Sequence, residues 1–283
     1  MCLPSAPHYV GAMSLRTKFF ALTYDRQIAN AEKAGLRAFR ERLLAGAGGD
    51  VLEIGGGTGA NLPCYGPAVG SLTITEPQPP MLRRLERSVR ARRPDARVLR
   101  APAEDLPFDD HSFDVAVSTL VLCGVDDQPR ALRELRRVLR PGGSLLFIEH
   151  VRSGDPRTAR LQDRLNWLNR LVACCDCNRP TLDSIRNAGF TVTQVEQTAL
   201  PKAPPFVRPA ILGSATIPAV APHTGPARVR PAVAPAPAAR PPDERGLIAE
   251  AAEGIHADRQ AVVVLPERTD TAGLPVRLAT MRA

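Results

Sequence analysis

Lysine, aromatic residues and long apolar runs are all scarce in this chain of 283 residues. The only lysines are Lys18, Lys33 and Lys202, so arginine carries nearly all of the formal net charge of +8. The basic run 83–100 has no interleaved aromatic side chains on which bases could stack. We therefore interpret it as a solvated helix face, with phosphate binding as the alternative. No apolar run reaches the roughly 18 residues that a bilayer span needs, so an integral membrane protein is not expected.

The cysteines show neither regular spacing nor a preceding secretory signal. This disfavours a secreted disulfide framework and predicts a reducing, cytoplasmic location. Cys174, Cys175 and Cys177 lie close together, but no second pair of Cys or His residues completes four zinc ligands. We therefore predict no metal site. Cys123 lies in an apolar run, and packing is its expected role.

Hydrophobic periodicity predicts an alternation of helices and strands. Helices are expected over 25–45, 128–139, 160–173 and 181–188. Strands separated by helices indicate an α/β fold in which a parallel sheet is covered on both faces. The predicted strands are 51–54, 72–75, 96–99, 113–118, 144–149, 190–196 and 210–216.

The composition changes after residue 217. Eight prolines fall between Pro218 and Pro242, among alanine and arginine. Such a segment cannot bury enough apolar surface to order itself. We predict an amino-terminal extension at 1–24, one compact domain at 25–217, and a largely disordered tail at 218–283.

The sequence VLEIGGGTGANL at 51–62 places a glycine-rich loop directly after a buried strand. Glycines at this point allow positive φ angles and let a ligand lie against the main chain. The loop alone does not identify the ligand, because Gly55, Gly57 and Ala60 also satisfy the dinucleotide pattern G-x-G-x-x-A.

Two acidic residues and a later dipeptide narrow the choice of ligand. Glu53 precedes the loop, and Glu76 ends the next predicted strand, where it could accept both hydroxyls of a ribose. NAD and S-adenosylmethionine both offer such a ribose. Ala103 and Glu104 follow the third strand, where an adenine would lie.

Four segments, EIGGGTG, TEPQPPM, PAEDLPFDDHSFDVAV and LRELRRVLRPGGSLLFIEH, together resemble the class I S-adenosylmethionine-dependent methyltransferases, in the branch that includes quinone C-methyltransferases. STLVLCGV, FIEHV, CNRPTLDSIRNAGF and FVRPAILGSA are similar to the methyltransferase-like thiol S-methyltransferases. The resemblance covers about 20–216. It implies a Rossmann-like sheet of seven strands, one of them antiparallel, with S-adenosyl-L-methionine as cofactor and a small-molecule acceptor.

The resemblance also implies which residues hold the cofactor. The loop glycines line its methionine part above a supporting acid, a second acid holds the ribose, and a methionine and an Ala-Glu pair meet the adenine. Two residues at the end of the fourth strand lie beside the sulfonium. In chain order these residues are Glu53, Gly55, Gly57, Gly59, Glu76, Met81, Ala103, Glu104, Thr119 and Leu120.

The chain departs from the family pattern at two places. Pro102 stands where many class I members carry Asp, so Glu104 must serve at the adenine. The thiol branch usually has Asp-Gly-Cys where this chain has Ala173, Cys174 and Cys175. If that Asp is catalytic in relatives, its role is vacant here.

Methyl transfer is an in-line displacement that depends mainly on positioning. A thiol acceptor needs only a weak base, and His150 is the candidate catalytic residue; a buried, structurally bonded histidine is the alternative. Tyr24, Trp167 and Phe206 are expected to form a lid, with core packing as the alternative.

Other functions stay open at this point. One is C- or O-methylation of a quinone-like or phenolic metabolite. The others are an NAD-dependent oxidoreductase and a nucleic-acid-binding module.

Overall fold

The computed structural model describes residues 24–26 and 28–219. The predicted tail beyond residue 219 and all but the last residue of the predicted extension lie outside the described residues. Within the described ranges, no helix is both long and apolar enough to cross a membrane.

Seven strands form one sheet in the order β3-β2-β1-β4-β5-β7-β6. Only β7 runs antiparallel to its neighbours, β5 and β6. The predicted seven-stranded, mostly parallel sheet with one antiparallel strand near the end is therefore confirmed. The strands are β1 (Gly49–Ile54), β2 (Val69–Thr75), β3 (Arg97–Leu99), β4 (Phe113–Thr119), β5 (Leu139–His150), β6 (Thr191–Ala199) and β7 (Pro209–Thr216).

The helices lie where the periodicity predicts them, with one interruption. The predicted helix 25–45 has a kink, because Gly35 takes a φ of 132° inside a π-helical turn, Glu32–Leu36. The α-helices are α1 (Arg37–Leu44), α2 (Pro79–Arg92), α3 (Gln128–Val138), α4 (Pro156–Ala173) and α5 (Thr181–Asn187), and Leu62–Cys64 is a 3-10 turn.

Strand β5 begins five residues earlier than predicted, directly after α3. Gly142 and Gly143 are part of β5. The N–H of Gly142 donates to the carbonyl of Ile217 at 3.1 Å. The N–H of Ile217 donates back to the carbonyl of Gly143 at 3.0 Å. The backbone of Ile217 therefore belongs to the folded unit.

Both faces of the sheet are buried, which explains the unbroken apolar run of β1. Val51 packs into the hydrophobic cluster on one face, with Leu44 and Leu85 from α1 and α2. Leu52 packs into the cluster on the opposite face, where Leu132 of α3 also lies. Successive side chains of a strand point to opposite faces, so a strand covered on both sides is apolar throughout.

Candidate active site

A cavity of about 710 Å³ lies at the carboxyl ends of the central strands. Gly55 follows β1, Glu76 follows β2, Thr119 ends β4 and His150 ends β5, and all four line it. The chain order reverses between β1 and β4, and parallel sheets bind ligands at such a switch point.

The glycine loop presents bare backbone to this cavity. Gly55 and Gly57 line it with φ angles of 57° and 59°. A Cβ on Gly55 would lie 2.7 Å from Val121, whereas a Cβ on Gly57 would meet nothing nearer than Met81 Cε at 3.8 Å. A side chain at Gly57 would therefore enter the cavity. Gly59, predicted to line the cofactor site, is not in the cavity wall.

Gly59 instead packs under the loop. It has a φ of 87°, and a Cβ there would lie 2.7 Å from Leu62 and 3.2 Å from Ser88. Close packing between the loop and α2 therefore requires a glycine at position 59. The spacing of glycines in a motif is the same whether a glycine contacts a ligand or packs against the protein.

Glu76 is a buried carboxylate in the wall of the cavity. Its Oε2 accepts the N–H of Gly57 at 2.9 Å, and its Oε1 accepts the N–H of Gln78 at 2.8 Å. Burial raises its pKa to about 7, against the two backbone donors that stabilise its charge. Each oxygen keeps a lone pair for a further donor, such as a ribose hydroxyl.

Glu53 does not line the cavity but anchors a buried network beneath the loop. It accepts the side-chain amide of Asn61 at 2.9 Å and the hydroxyl of Tyr65 at 2.8 Å. The guanidinium of Arg40 donates to Asn61 Oδ1 at 2.8 Å and to Thr119 Oγ1 at 2.9 Å. Desolvation raises the pKa of Glu53 to about 7, while these partners act to lower it.

Neither Arg40 nor Asn61 is among the site residues predicted from the sequence. Arg40 is 2% exposed, whereas Arg37 and Arg42 of the same helix are exposed. A signal was present: Arg40 stands four residues after Leu36 and three before Leu43, on the apolar face of the helix. A charge in that position is expected to have buried partners.

The other predicted cofactor residues, Met81, Ala103, Glu104, Thr119 and Leu120, also line the cavity. Glu104 Oε1 accepts the N–H of Asp126 at 2.8 Å, so this carboxylate also holds the loop after β4. Leu120 has a φ of 61°, a strained conformation for a bulky residue. Such strain is typical of functional sites, and nothing in the sequence predicts it.

Glu149, which the sequence analysis also missed, is fully buried beside His150. Its Oε1 accepts the hydroxyl of Ser118 at 2.6 Å and the N–H of Leu122 at 3.1 Å. Its Oε2 accepts the N–H of Cys123 at 3.2 Å. These hydrogen bonds hold the loop that follows β4, in which Cys123 is part of the cavity wall. Burial raises the pKa of Glu149.

His150 lies in the cavity wall with 7% of its surface exposed. Its Nδ1 lies 2.9 Å from the carbonyl oxygen of Val207. A carbonyl can only accept, so Nδ1 carries the proton and Nε2 keeps a lone pair. Desolvation lowers the pKa of His150 to about 4, and the imidazole is therefore neutral at pH 7.

The predicted aromatic lid is only partly present. Tyr24 lines the cavity, but Phe206 does not, and Trp167 is 66% exposed on the surface of α4. Periodicity places residues on a helix but does not identify which face is covered.

One cysteine of the run 174–177 approaches residues that are distant in sequence. Cys175 is grouped not with Cys174 and Cys177 but with Cys123 and His150, whose ligand atoms all lie within 4.8 Å of one another. All three of these grouped residues line the cavity.

These features fit a nucleoside carrying an amino acid chain. Bare backbone at Gly57 leaves room for a ligand against the loop, and the carboxylate of Glu76 offers acceptors for sugar hydroxyls. Met81 and Ala103 offer apolar contacts for a base.

Comparison with known proteins gives the same picture. A family model described as a methyltransferase domain matches residues 52–147. Human thiol S-methyltransferase TMT1B is 38% identical over 180 residues, which cover 61% of this chain and 73% of that protein. Human thiol S-methyltransferase TMT1A is 33% identical over 204 residues, covering 69% and 82%.

A solved structure shows the same fold. An S-adenosylmethionine-dependent methyltransferase from Thermotoga maritima superimposes with a TM-score of 0.55 at 24% identity, over 71% of this chain and 98% of that one. The family model and the sequence relatives, rather than the shared fold, remove the dinucleotide-dependent alternative. The chain belongs to the class I S-adenosylmethionine-dependent methyltransferases, and its sequence is similar to the thiol S-methyltransferases among them.

Proposed function

We propose that this methyltransferase transfers a methyl group to the sulfur of a small-molecule thiol. The observation that carries the proposal is that His150, with Nε2 unprotonated, lines the same cavity as the glycine loop and Glu76. The similarity to two enzymes named thiol S-methyltransferases supports it.

In this proposal the cofactor lies along the loop. The backbone at Gly55 and Gly57 borders its methionine part, and Glu76 accepts the ribose hydroxyls. Met81, Ala103 and Glu104 surround the adenine. When bound, S-adenosylmethionine supplies a methyl group activated by a sulfonium.

The remaining predicted cofactor residues sit around that core. Thr119 and Leu120 lie at the end of β4, where the reacting methyl group is expected. Glu53 supports the loop through Asn61 and Tyr65 without touching the ligand.

A thiol suits the acceptor end because it ionises easily. With a pKa near 8.5, a thiol is a few per cent thiolate at pH 7, whereas a phenol with a pKa near 10 provides about thirtyfold less anion. The neutral imidazole of His150 accepts a hydrogen bond from the S–H group and orients the sulfur for in-line attack. Asp176 also lines the cavity, but Asn166 and Arg179 already bond its two oxygens.

A screen with methyl-labelled S-adenosylmethionine over thiols, phenols and quinols tests the acceptor class. We expect thioether products, and a drop in kcat of roughly tenfold or more for His150→Ala. The matched control is His111→Asn, because His111 lies outside the cavity wall and its φ of 58° suits asparagine. Methylated quinols or phenols without thioethers would instead establish the C- or O-methyltransferase alternative.

We also propose that residues 25–217 suffice for cofactor binding, and that the protein works in a reducing, cytoplasmic setting. In the part of the chain that the structure describes, no cysteine is in a disulfide, as such a setting requires. Nucleic-acid binding stays an untested alternative for the basic run 83–100.

A further inference from the structure

Three soft donor groups meet at one side of the cavity although they are far apart in sequence. Cys123 lies in the loop after β4, His150 ends β5, and Cys175 follows α4. Their ligand atoms lie within 4.8 Å of one another. Two bonds of about 2.3 Å at a tetrahedral angle hold sulfur atoms about 3.8 Å apart, so rotations of these side chains suffice to enclose an ion.

The surroundings of the three groups match those of metal ligands. His150 donates Nδ1–H to the carbonyl of Val207 at 2.9 Å, which orients the ring and leaves Nε2 free to coordinate. The side-chain amide of Asn169 donates to Cys175 Sγ at 3.3 Å, a contact that stabilises a thiolate. The N–H of Cys123 is held by the carboxylate of Glu149.

We propose that Cys123 Sγ, His150 Nε2 and Cys175 Sγ bind a soft divalent cation of the zinc type. Two thiolates and one imidazole are a ligand set that such ions prefer, and a fourth position left open is typical of catalytic rather than structural zinc. Here the three donors line the cavity wall, so the fourth position faces the cavity. Binding displaces the two thiol protons into solvent.

With the ion bound, Nε2 of His150 coordinates it and no longer accepts the hydrogen bond from the acceptor S–H group. The ion then ionises the thiol acceptor instead, and this step rests on the proposed function. The acceptor sulfur takes the fourth position as a thiolate and its proton leaves to solvent. That sulfur then forms a bond to the methyl carbon while the bond between this carbon and the sulfonium breaks. The products are S-adenosylhomocysteine and a neutral thioether, which binds the ion more weakly and is released.

The test uses the full chain, reduced with a phosphine rather than a thiol and stripped of metal by a chelator. Addition of Co²⁺ is expected to give thiolate-to-cobalt charge transfer and the visible absorption of a tetrahedral site, at one equivalent per chain. Zn²⁺ is expected to displace the cobalt. Addition of a small thiol is expected to change the visible bands, because it enters the fourth position.

Variants locate the site. Cys175→Ser and Cys123→Ser are each expected to weaken Zn²⁺ binding about 100-fold or more, since loss of even an outer contact costs 10- to 100-fold. Cys64→Ser is the matched control, because Cys64 is partly buried but outside the cavity wall. Binding of S-adenosylhomocysteine by each variant verifies that it is folded.

Three results would overturn the metal site. The first is no cobalt band in reduced wild-type protein, and the second is a band that Cys175→Ser leaves unchanged. The third is a Cys123–Cys175 disulfide that resists the phosphine and excludes cobalt.

The acceptor assignment fails separately. Thiol methylation at full rate in metal-free protein refutes the role of the ion in the reaction while the proposed function stands. A cobalt site in an enzyme that methylates no thiol leaves the ion site intact and refutes the acceptor.

Discussion

Three buried glutamates, Glu53, Glu76 and Glu149, shape the cavity, one near the carboxyl end of each of three central strands. Each is held by neighbouring donors, and desolvation raises the pKa of each. A buried carboxylate is costly unless its lone pairs are used. Glu53 and Glu149 use theirs on protein donors, whereas Glu76 lines the cavity and keeps capacity for a ligand.

Replacing Glu76 by glutamine is expected to weaken S-adenosylhomocysteine binding by 10- to 100-fold. Hydrogen bonds to a charged group contribute about 1.5–3 kcal/mol, and an amide offers one acceptor oxygen instead of two. Isothermal titration calorimetry measures the loss. Glu196→Gln is the control, because Glu196 is half-exposed in a surface ion pair with Arg42. Equal affinities in the two variants would remove Glu76 from the cofactor site.

Cofactor affinity is expected to depend on pH around 7. The pKa of Glu76 is raised to about 7 by burial and, in smaller part, by the charge of Glu53. In the proposed binding mode the ionised carboxylate accepts the ribose hydroxyls, so affinity for S-adenosylhomocysteine is expected to rise about tenfold from pH 6 to pH 8. Glu76→Gln should flatten this pH profile. An unchanged slope of affinity against pH in that variant would assign the pH dependence to another group.

In the ligand-free protein the ionisation of Glu76 acts in the opposite direction, because it lowers the free energy of unfolding as the pH rises. The pKa of Glu76 in the folded protein lies above its unfolded value of about 4.5, so the folded state holds an extra proton between these values. Its contribution to the free energy of unfolding is present below pH 4.5 and lost as the pH rises through 7. His150, whose pKa is lowered to about 4, acts in the opposite direction between pH 4 and 6.5.

The glycine loop and α4 show how a secondary-structure element can be predicted while its contacts are not. The loop contains both a glycine that faces the cavity, Gly57, and one that packs against the protein, Gly59. Helix α4 buries Gln162 and Asn169 and exposes Trp167, the reverse of the usual amphipathic arrangement. Polar groups of loops, rather than an apolar core, cover its inner face.

Gly57→Ala is expected to lower cofactor affinity at least tenfold and to lower the free energy of unfolding by about 1–2 kcal/mol, because Ala is strained at positive φ. Gly142→Ala separates the two effects: it has the same strain, at a φ of 82°, and open space around its Cβ, but lies outside the cavity wall. We expect equal destabilisation by urea unfolding and unchanged cofactor affinity for Gly142→Ala. Equal affinities in both variants would exclude close contact at Gly57.

In α4, replacing a buried polar side chain by an apolar one is expected to destabilise the protein more than replacing an exposed apolar side chain by a polar one. Gln162 accepts the N–H of Ser153 at 2.8 Å and donates to the carbonyls of Val151 and Cys177 at 3.0 and 2.7 Å. Gln162→Leu leaves these groups unpaired and should cost about 3 kcal/mol. Trp167→Ser should cost about 0.5 kcal/mol, because the ring is already exposed.

Urea unfolding of both α4 variants gives the two free energies. A larger loss of unfolding free energy for Trp167→Ser than for Gln162→Leu would mean that another surface covers the Trp167 side chain.

At the level of the complete chain, the described residues already contain every strand of the sheet and the cavity. Ile217 is the last of the described residues with backbone bonds to β5.

A chain truncated after Ala219 is therefore expected to bind S-adenosylhomocysteine within about twofold of the full-length protein. Calorimetry on both proteins checks this. Truncation after Gly213 is the contrasting variant, since it removes three residues of β7 that pair with β5 and should prevent folding. Loss of binding in the protein truncated after Ala219 would show that the tail contributes to the site.

The fold class, the order of the strands along the chain and many wall residues of the candidate cavity were predictable from sequence. The periods of strands and helices arise from local backbone geometry, so short segments predict these elements. The glycine loop and its two acids, Glu53 and Glu76, belong to one continuous segment from β1 to the end of β2, so their spacing can also be recognised in the sequence. Eight of the ten predicted cofactor residues, all except Glu53 and Gly59, line the cavity: Gly55, Gly57, Glu76, Met81, Ala103, Glu104, Thr119 and Leu120.

Only the tertiary structure brings together groups from distant segments. Arg40 reaches Thr119 across 79 positions, and Cys123, His150 and Cys175 meet from three separate loops and strand ends. Burial raises the pKa of Glu76 and lowers that of His150. Contact and desolvation depend on the packing of the complete sheet and its helices, and no local pattern of residues contains them.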